Sequence, residues 1–537
     1  MNRREFLRTS AIAAAAAAGT SLLSKLSVAQ TSNAFEIQET TILQLQEGMK
    51  SGMLTARSIA ESYLKRIDEI DKHGPAINSV IEINPEALDL ADAMDRERKE
   101  KGSRGPLHGI PILIKDNIDT ADRMMTTAGS LALIGSKPAG DSFVAKKLRE
   151  AGAVILGKTN LSEWANIRSS KSTSGWSGRG GQTKNPYALD RNPCGSSSGS
   201  GAATAANLCA AAIGTETDGS VVCPSSANSL VGIKPTLGLI SRSGVIPIAH
   251  SQDTAGPMAR NVTDAAILLG ALTGIDKGDA VTVLSSGKSY TDYTRFLDKD
   301  GLHGARLGIV RKSFDNVNER IQKKLNDLID EMKKMGAVIV DPADIPTSGQ
   351  FDDSELLVLL YELKSDMNTY LAKLGPAAPM HTLKDLIDFN VKNAEKEMPY
   401  FGQDLFEKAE EKGPLTTKEY LDALAKDLQL SRDKGIDFVL QSNKLDALIA
   451  PTGGLPWLTD WANGDHFTGG YSSASAVAGY PHITVPAGYV YGLPFGISFF
   501  GSAYSEPTLL KLAYSFEQAT KLRQAPKFMP NADLTQG

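Results

Sequence analysis

The sequence is poor in the residues on which several classes of protein depend. Its 537 residues include three cysteines, Cys194, Cys209 and Cys223, which are too few for a disulfide framework and leave at least one thiol free. Cys194 and Cys223 are interpreted as small packing residues rather than as nucleophiles. Seven scattered histidines form no metal-binding pattern, so no metal and no other cofactor is expected. The 57 basic residues do not outnumber the 62 acidic ones, which speaks against a nucleic-acid-binding protein.

The composition is that of a globular protein with a large core. Hydrophobic residues make up 41% of the chain and charged residues 22%. No internal repeat is present, and no linker rich in proline, glycine and serine separates domains. Beyond the N-terminal segment, no run of 18 apolar residues predicts a membrane span.

The first 29 residues have the order of an export signal. The pair Arg3-Arg4 is followed by Phe-Leu, by an alanine-rich stretch over residues 11–23 and by the small-x-small sequence Ser27-Val28-Ala29. This order predicts a Tat-type signal peptide over residues 1–29 and an exported, periplasmic protein that does not bind membranes after cleavage. The alternatives are a surface helix and a retained anchor, although the stretch is shorter than the roughly 20 residues of a span.

Segments of strand and helix character alternate along the rest of the chain. Strands are predicted at residues 110–114, 153–156, 307–310, 338–340 and 446–450. Helices are predicted to begin at Thr55, at Asn84-Pro85 and at residue 142, and an alanine-rich helix is expected over 202–212. The alternation predicts an α/β fold with a largely parallel or mixed central sheet.

The candidate chemistry lies in two glycine- and serine-rich segments and one lysine. Residues 194–201 read C-G-S-S-S-G-S-G, residues 214–220 read G-T-E-T-D-G-S, and Lys115 ends a predicted buried strand. A run of glycine and serine is by itself typical of a flexible loop. The sequence pattern of a phosphate-binding loop is absent. A serine nucleophile needs a base, and no histidine is near either turn in sequence. A buried, neutral lysine is therefore the candidate base, as in serine–lysine variants of the catalytic triad.

These segments resemble the amidase signature family. The resemblance rests on G-I-P-I-L-I-K-D-N at residues 109–117, C-G-S-S-S-G-S-G-A-A at 194–203 and I-G-T-E-T-D-G-S at 213–220. Residues 230–238, 253–257, 446–452 and 479–481 extend it over about residues 36–525. It implies a single large α/β/α domain around a twisted mixed β-sheet, which hydrolyses amides without a metal.

The resemblance also implies roles for individual residues. Lys115 corresponds to the family's catalytic lysine. The family's nucleophile lies 24 residues after its bridging serine, which assigns Ser220 as nucleophile and Ser196 as the bridging, cis-peptide serine. The amides that bind the oxyanion correspond to Thr217, Asp218, Gly219 and Ser220.

Three positions depart from the usual family pattern. Glu216 replaces an aspartate, Asp218 replaces a glycine, and Val222 stands where an arginine is common. The segments G-S-V-V-C-P at residues 219–224 and G-G-Q-T-K-N-P-Y at 180–187 are closest to bacterial peptide amidases within the family. Because Val222 stands where an arginine is common, the residues around the acyl group are expected to differ from the usual family pattern.

Four more residues are candidates for secondary roles. Asp116 and Asn117 either orient Lys115 or simply end its strand. Arg168 and Gln182 lie near the Gly/Ser-rich stretch and are candidates for substrate contact.

The leading hypothesis is an exported amidase that acts on small-molecule or peptide amides, as a monomer or homodimer, and releases ammonia from a primary amide. Three alternatives remain: the glutamine amidase component of a tRNA-dependent amidotransferase, a hydrolase of aliphatic or cyclic amides, and an exported binding protein without catalysis. The export signal argues against the amidotransferase component. The presence of Lys115, Ser196 and Ser220 together argues against a binding protein without catalysis.

Overall fold

Eleven strands form one continuous sheet in the computed structural model, which describes residues 35–535. In chain order they are β1 (Val80–Ile83), β2 (Pro111–Lys115), β3 (Val154–Thr159), β4 (Ala211–Glu216), β5 (Val231–Lys234), β6 (Thr254–Ala259), β7 (Arg306–Ile309), β8 (Val338–Val340), β9 (Ala447–Pro451), β10 (His482–Val490) and β11 (Leu493–Phe500). The chain from Ile37 onward is one compact unit. The predicted signal peptide lies outside the described residues.

The sheet is mixed, and its order is β1-β3-β2-β4-β6-β5-β10-β11-β9-β7-β8. Parallel pairs join β2 to β3 and β4, and β7 to β8 and β9, while the other neighbours run antiparallel. Strands β2 and β4, which carry the predicted lysine and the segment before the predicted nucleophile, are therefore adjacent. The α/β fold and its mixed sheet are confirmed.

Helices flank this sheet and bury its apolar side chains. They are α1 (Ile42–Lys50), α2 (Ala56–Arg66), α3 (Ala87–Lys101), α4 (Phe143–Glu150), α5 (Ser198–Ala205), α6 (Val222–Ala227), α7 (Val262–Leu272), α8 (Glu319–Lys334), α9 (Asp352–Lys373), α10 (Leu383–Lys392), α11 (Ala394–Glu397), α12 (Asp404–Glu410), α13 (Lys418–Leu428), α14 (Asp437–Asn443), α15 (Ser473–Ala478) and α16 (Glu506–Thr520). The largest core cluster joins strand residues such as Ile112 and Phe499 to helix residues such as Leu268 and Phe516. None of the helices in the described part of the chain has the length and apolar character needed to cross a membrane.

Most predicted elements are present, and their ends follow from local hydrogen bonds. Thr55 caps α2 in a reciprocal capping box with Ser58. The helix predicted from Pro85 begins at Ala87 instead, because Asn84 is held by β3 and its side chain closes a turn with the amide of Glu86.

The helix predicted over 202–212 is wrong at both ends. The observed α5 begins four residues earlier, at Ser198, and ends at Ala205. Asn207 adopts a left-handed conformation, and Ala211 and Ala212 begin β4. Pairing of β4 with β2 and β6 outweighs the helix propensity of alanine.

Candidate active site

Lys115 lies at the C-terminal end of β2 and is completely buried. Its Nζ lies within hydrogen-bond distance of Ser196 Oγ at 2.8 Å, Thr215 Oγ1 at 2.9 Å and Thr215 O at 3.2 Å. The charged amine can donate to all three atoms, whereas the neutral amine can donate to the two atoms of Thr215 and accept from Ser196. Burial lowers the pKa of the lysine to about 7, against the opposing effect of the Glu216 and Asp253 carboxylates. A substantial fraction of the lysine is therefore neutral near pH 7 and able to accept a proton.

Ser196 and Ser220 lie on two turns that the backbone ties together. Ser196 follows a cis peptide bond from Gly195, and the amide of Ser197 donates to Ser220 O at 3.2 Å. Ser196 is fully buried, whereas Ser220 is 8% exposed. Within residues 35–535, no hydrogen bond joins the two serine hydroxyls, and such catalytic contacts commonly shorten only when substrate binds.

The turn that carries Ser220 is held by the side chain of Glu216. Its carboxylate accepts from the amides of Gly219 at 3.0 Å, Val221 at 2.7 Å and Val222 at 3.0 Å. The left-handed φ of +78° favours glycine at position 219. Because the Gly219 amide already donates to Glu216, the amides of Thr217, Asp218 and Ser220 are better placed to receive an oxyanion.

The side chains of Thr217 and Asp218 anchor this turn to distant segments. Thr217 Oγ1 donates to Asp253 Oδ1 at 2.5 Å. The Asp218 carboxylate accepts from the hydroxyls of Ser472 at 2.5 Å and Ser473 at 2.6 Å, at the start of α15. Asp218, which replaces a family glycine, therefore connects the turn of Ser220 to the C-terminal part of the chain.

A cavity of about 270 Å³ opens beside the two turns. Its lining residues include Asn166, Gly195, Asp218, Val222, Trp457 and Phe467. Val222 lines the cavity where an arginine is common in the family. The cavity thus combines the apolar side chains of Val222, Trp457 and Phe467 with polar side chains, among them the carboxylates of Asp218 and Asp465, next to the predicted nucleophile.

A disulfide bond joins Cys194 to Cys223 beside the same cavity. Both cysteines are buried in one small apolar cluster with Ala227 and Trp457, as the interpretation as packing residues implies, and the bond adds a pairing that the sequence left open. The bond connects the segment just before Ser196 to α6, just after Ser220, and so links the turns that carry these two serines. Cys209 is free and buried, and burial raises the pKa of its thiol to about 11.

Asp116 and Asn117 differ in what they contact. Asn117 Nδ2 donates to Thr215 Oγ1 at 3.0 Å, so it shares an acceptor with Lys115 and helps to orient that lysine. The Asp116 carboxylate instead pairs with Arg179 at 3.3 Å. Of the two, only the Asn117 side chain shares a hydrogen-bond partner with Lys115.

The two candidate substrate contacts lie outside the cavity. Arg168 is fully buried and bonds Glu163 and the backbone of Glu397. Gln182 donates to backbone carbonyls and accepts from the indole of Trp461. Neither residue lines the cavity beside Ser220.

Comparisons with known proteins identify the family of this chain. The family model described as Amidase matches residues 58–510. The structure of native peptide amidase from Stenotrophomonas maltophilia superposes with a TM-score of 0.88 at 47% identity, covering 92% of this chain and 99% of that chain. A probable amidase of Arabidopsis thaliana is 44% identical over 93% of both chains. A glutamyl-tRNA(Gln) amidotransferase chain of Thermoanaerobacter pseudethanolicus is 33% identical, covering 93% of this chain and 100% of that one.

The fold, the family match and these relatives together define an amide hydrolase. The chain belongs to the amidase signature family.

Proposed function

We propose that this enzyme hydrolyses primary amides, in particular C-terminal peptide amides, through a Ser220–Ser196–Lys115 triad and an acyl-enzyme intermediate. The observation that carries the proposal is the 2.8 Å hydrogen bond between the buried Lys115 amine and Ser196 Oγ, beside the turn of Ser220. Burial lowers the pKa of Lys115 to about 7, so part of the lysine is neutral near pH 7, as a general base must be.

In the proposed mechanism, Ser220 Oγ attacks the amide carbon while its proton passes to Ser196 and the proton of Ser196 passes to Lys115. The carbonyl oxygen becomes an oxyanion, which receives hydrogen bonds from the amides of Thr217, Asp218 and Ser220. Collapse of this intermediate breaks the carbon–nitrogen bond. Ser196 returns a proton to the leaving nitrogen, so ammonia departs and the acyl group stays on Ser220. Water activated by the same relay then releases the carboxylic acid.

The preference for peptide amides rests on two observations. The structure that resembles this chain at 47% identity is that of a peptide amidase. The cavity beside Ser220 is lined by Val222, Trp457 and Phe467, whose apolar surfaces suit the side chains of a peptide. Free glutamine, by contrast, has no large apolar group to contact Val222, Trp457 and Phe467.

Ammonia release from matched substrates tests the proposed function. We expect kcat/KM for an N-acylated dipeptide amide to exceed that for free glutamine or propionamide by on the order of 100-fold, because the longer acyl group contacts more of the apolar wall. The same panel is run with Ser220→Ala to exclude contaminating amidases. A preference for glutamine would instead favour the amidotransferase type of reaction.

We further propose that the enzyme is exported by the Tat route and acts in the periplasm, on the basis of Arg3-Arg4 and the segment that follows. Replacing both arginines with lysine is expected to retain the precursor in the cytoplasm, because the route reads that pair. Cell fractionation followed by immunoblotting measures the distribution. Undiminished periplasmic accumulation of the Lys-Lys variant would contradict this assignment.

A further inference from the structure

Two residues just before β6 hold Thr217, which opens the turn 217–220, at both its hydroxyl and its carbonyl group. Strands β4 and β6 are antiparallel neighbours, so the residue before β6, Asp253, lies opposite Thr217, which follows β4. Asp253 Oδ1 accepts from Thr217 Oγ1 at 2.5 Å, and Gln252 Nε2 donates to Thr217 O at 3.4 Å. One short segment therefore fixes the side chain and the backbone of Thr217 together.

The side chains of Gln252 and Asp253 are buried and are themselves held in place. Gln252 Nε2 also donates to Glu355 Oε1, on α9, at 2.9 Å. Asp253 Oδ2 accepts from the amides of Ile248 at 2.8 Å and Ala249 at 3.0 Å. Because these contacts fix both side chains, they also determine where Thr217 lies.

The direction of the Thr217 carbonyl determines where the next amide points. The peptide bond between Thr217 and Asp218 is trans, so the C=O of Thr217 and the N–H of Asp218 point in opposite directions. Gln252, which binds the C=O, does not line the cavity beside Ser220, whereas Asp218 does. Within residues 35–535, the amide of Asp218 donates to no other backbone carbonyl.

We infer that Gln252 and Asp253 are positioning residues for oxyanion binding: by holding Thr217, they direct the N–H of Asp218 toward the carbonyl oxygen of the substrate. The inference rests on the proposed function, because it assumes that an oxyanion forms at this turn. The negative oxygen of the tetrahedral intermediate gains more from a well-directed N–H than the neutral carbonyl oxygen of the bound substrate does. The effect should therefore appear in kcat rather than in KM.

Gln252→Met and Thr217→Val test this role without changing any charge. Gln252→Met keeps the length of the side chain and removes the donor to Thr217 O, and Thr217→Val removes the hydroxyl that Asp253 binds. We expect each variant to lower kcat for N-acetyl-phenylalanine amide by about tenfold, with KM within about twofold of wild type. This loss is smaller than the 10²- to 10³-fold that removal of an oxyanion donor typically costs, because the N–H of Asp218 is misdirected and not lost.

A pair of inhibitors separates positioning from general damage to the site. N-acetyl-phenylalaninal is an aldehyde: Ser220 Oγ adds to its carbon, the serine proton passes to Ser196, and the carbonyl π electrons move onto the oxygen, which becomes an oxyanion. N-acetyl-phenylalaninol has the same side chain but no carbonyl and forms no such adduct. In both variants the inhibition constant of the aldehyde should rise about tenfold, while that of the alcohol should stay within about twofold of wild type.

Gln403→Met is the matched control for loss of a buried glutamine. Gln403 is buried, and its Nε2 donates to Ile387 O at 3.2 Å, away from the cavity. This variant should lose as much Tm as Gln252→Met but keep the wild-type kcat. Equal weakening of aldehyde and alcohol, or wild-type kcat in both test variants, would overturn the positioning role and leave the proposed function standing. A wild-type enzyme that releases ammonia from no amide would overturn the proposed function instead.

Discussion

Replacing Ser220 with alanine is expected to lower kcat for amide hydrolysis by a factor of about 10⁴ or more. The reason is that the proposed acyl-enzyme forms on Ser220 Oγ. Ser196 is fully buried and hydrogen-bonded to Lys115, and the hydroxyls of Ser472 and Ser473 donate to Asp218. Steady-state ammonia release from purified protein measures the effect.

Ser225→Ala is the matched control for that variant. Ser225 lies on α6, five residues after the predicted nucleophile, and its buried hydroxyl has no hydrogen-bond partner among residues 35–535. Ser225→Ala removes one hydroxyl near the same turn, as Ser220→Ala does, but from a residue outside the proposed triad. Its kcat should therefore stay within about twofold of wild type. Appreciable activity of Ser220→Ala in protein free of contaminating amidase would show that another residue is the nucleophile.

The second large effect is expected at Lys115. Lys115→Arg keeps a positive charge at the end of β2, but a guanidinium does not lose its proton near neutral pH. If Lys115 is the general base, this variant should lose nearly as much kcat as Ser220→Ala, because the members of the triad act as one unit. If Lys115 only fixes geometry through its charge, the variant should keep activity. Retention of more than about a tenth of the wild-type kcat, a loss under about 1.4 kcal/mol, would refute the role as base.

Lys158 provides the control for disturbance of the buried sheet. It is also fully buried, on the adjacent strand β3, but its amine donates to Ile118 O and Thr126 Oγ1 rather than to a catalytic serine. We compare Lys115→Met with Lys158→Met, measuring Tm and kcat for each. Similar losses of Tm with a much larger loss of kcat for Lys115→Met are expected. Equal losses of kcat would indicate that the effect at Lys115 comes from the sheet and not from chemistry.

The order of helices and strands could be predicted from the sequence because the residues that indicate each of them are close neighbours in the chain. The apolar run before Lys115 and the capping box at Thr55 lie within a few residues, and the structure confirms both elements. The wrong predictions fall where hydrogen-bond partners that are distant in sequence determine the local structure. Ala211 and Ala212 become strand through pairing with β2 and β6, and Asn84 is held by a carbonyl of β3.

The same distinction applies to the site. Lys115, Ser196 and Ser220 stand in motifs that resemble a family, so the sequence alone could nominate them. The disulfide between Cys194 and Cys223 could not be assigned, because its geometry depends on how two turns pack.

Labelling of the wild-type enzyme with a fluorophosphonate, followed as a function of pH and mapped by peptide mass spectrometry, tests the central claim most directly. The proposed triad predicts one adduct on Ser220 and a labelling rate that falls about tenfold per pH unit below the pKa of Lys115, about 7. The sign follows from the role of the lysine, because protonation removes the base. An adduct on another residue, or a labelling rate that does not change between about pH 5 and 8, would contradict a nucleophile activated by a neutral lysine.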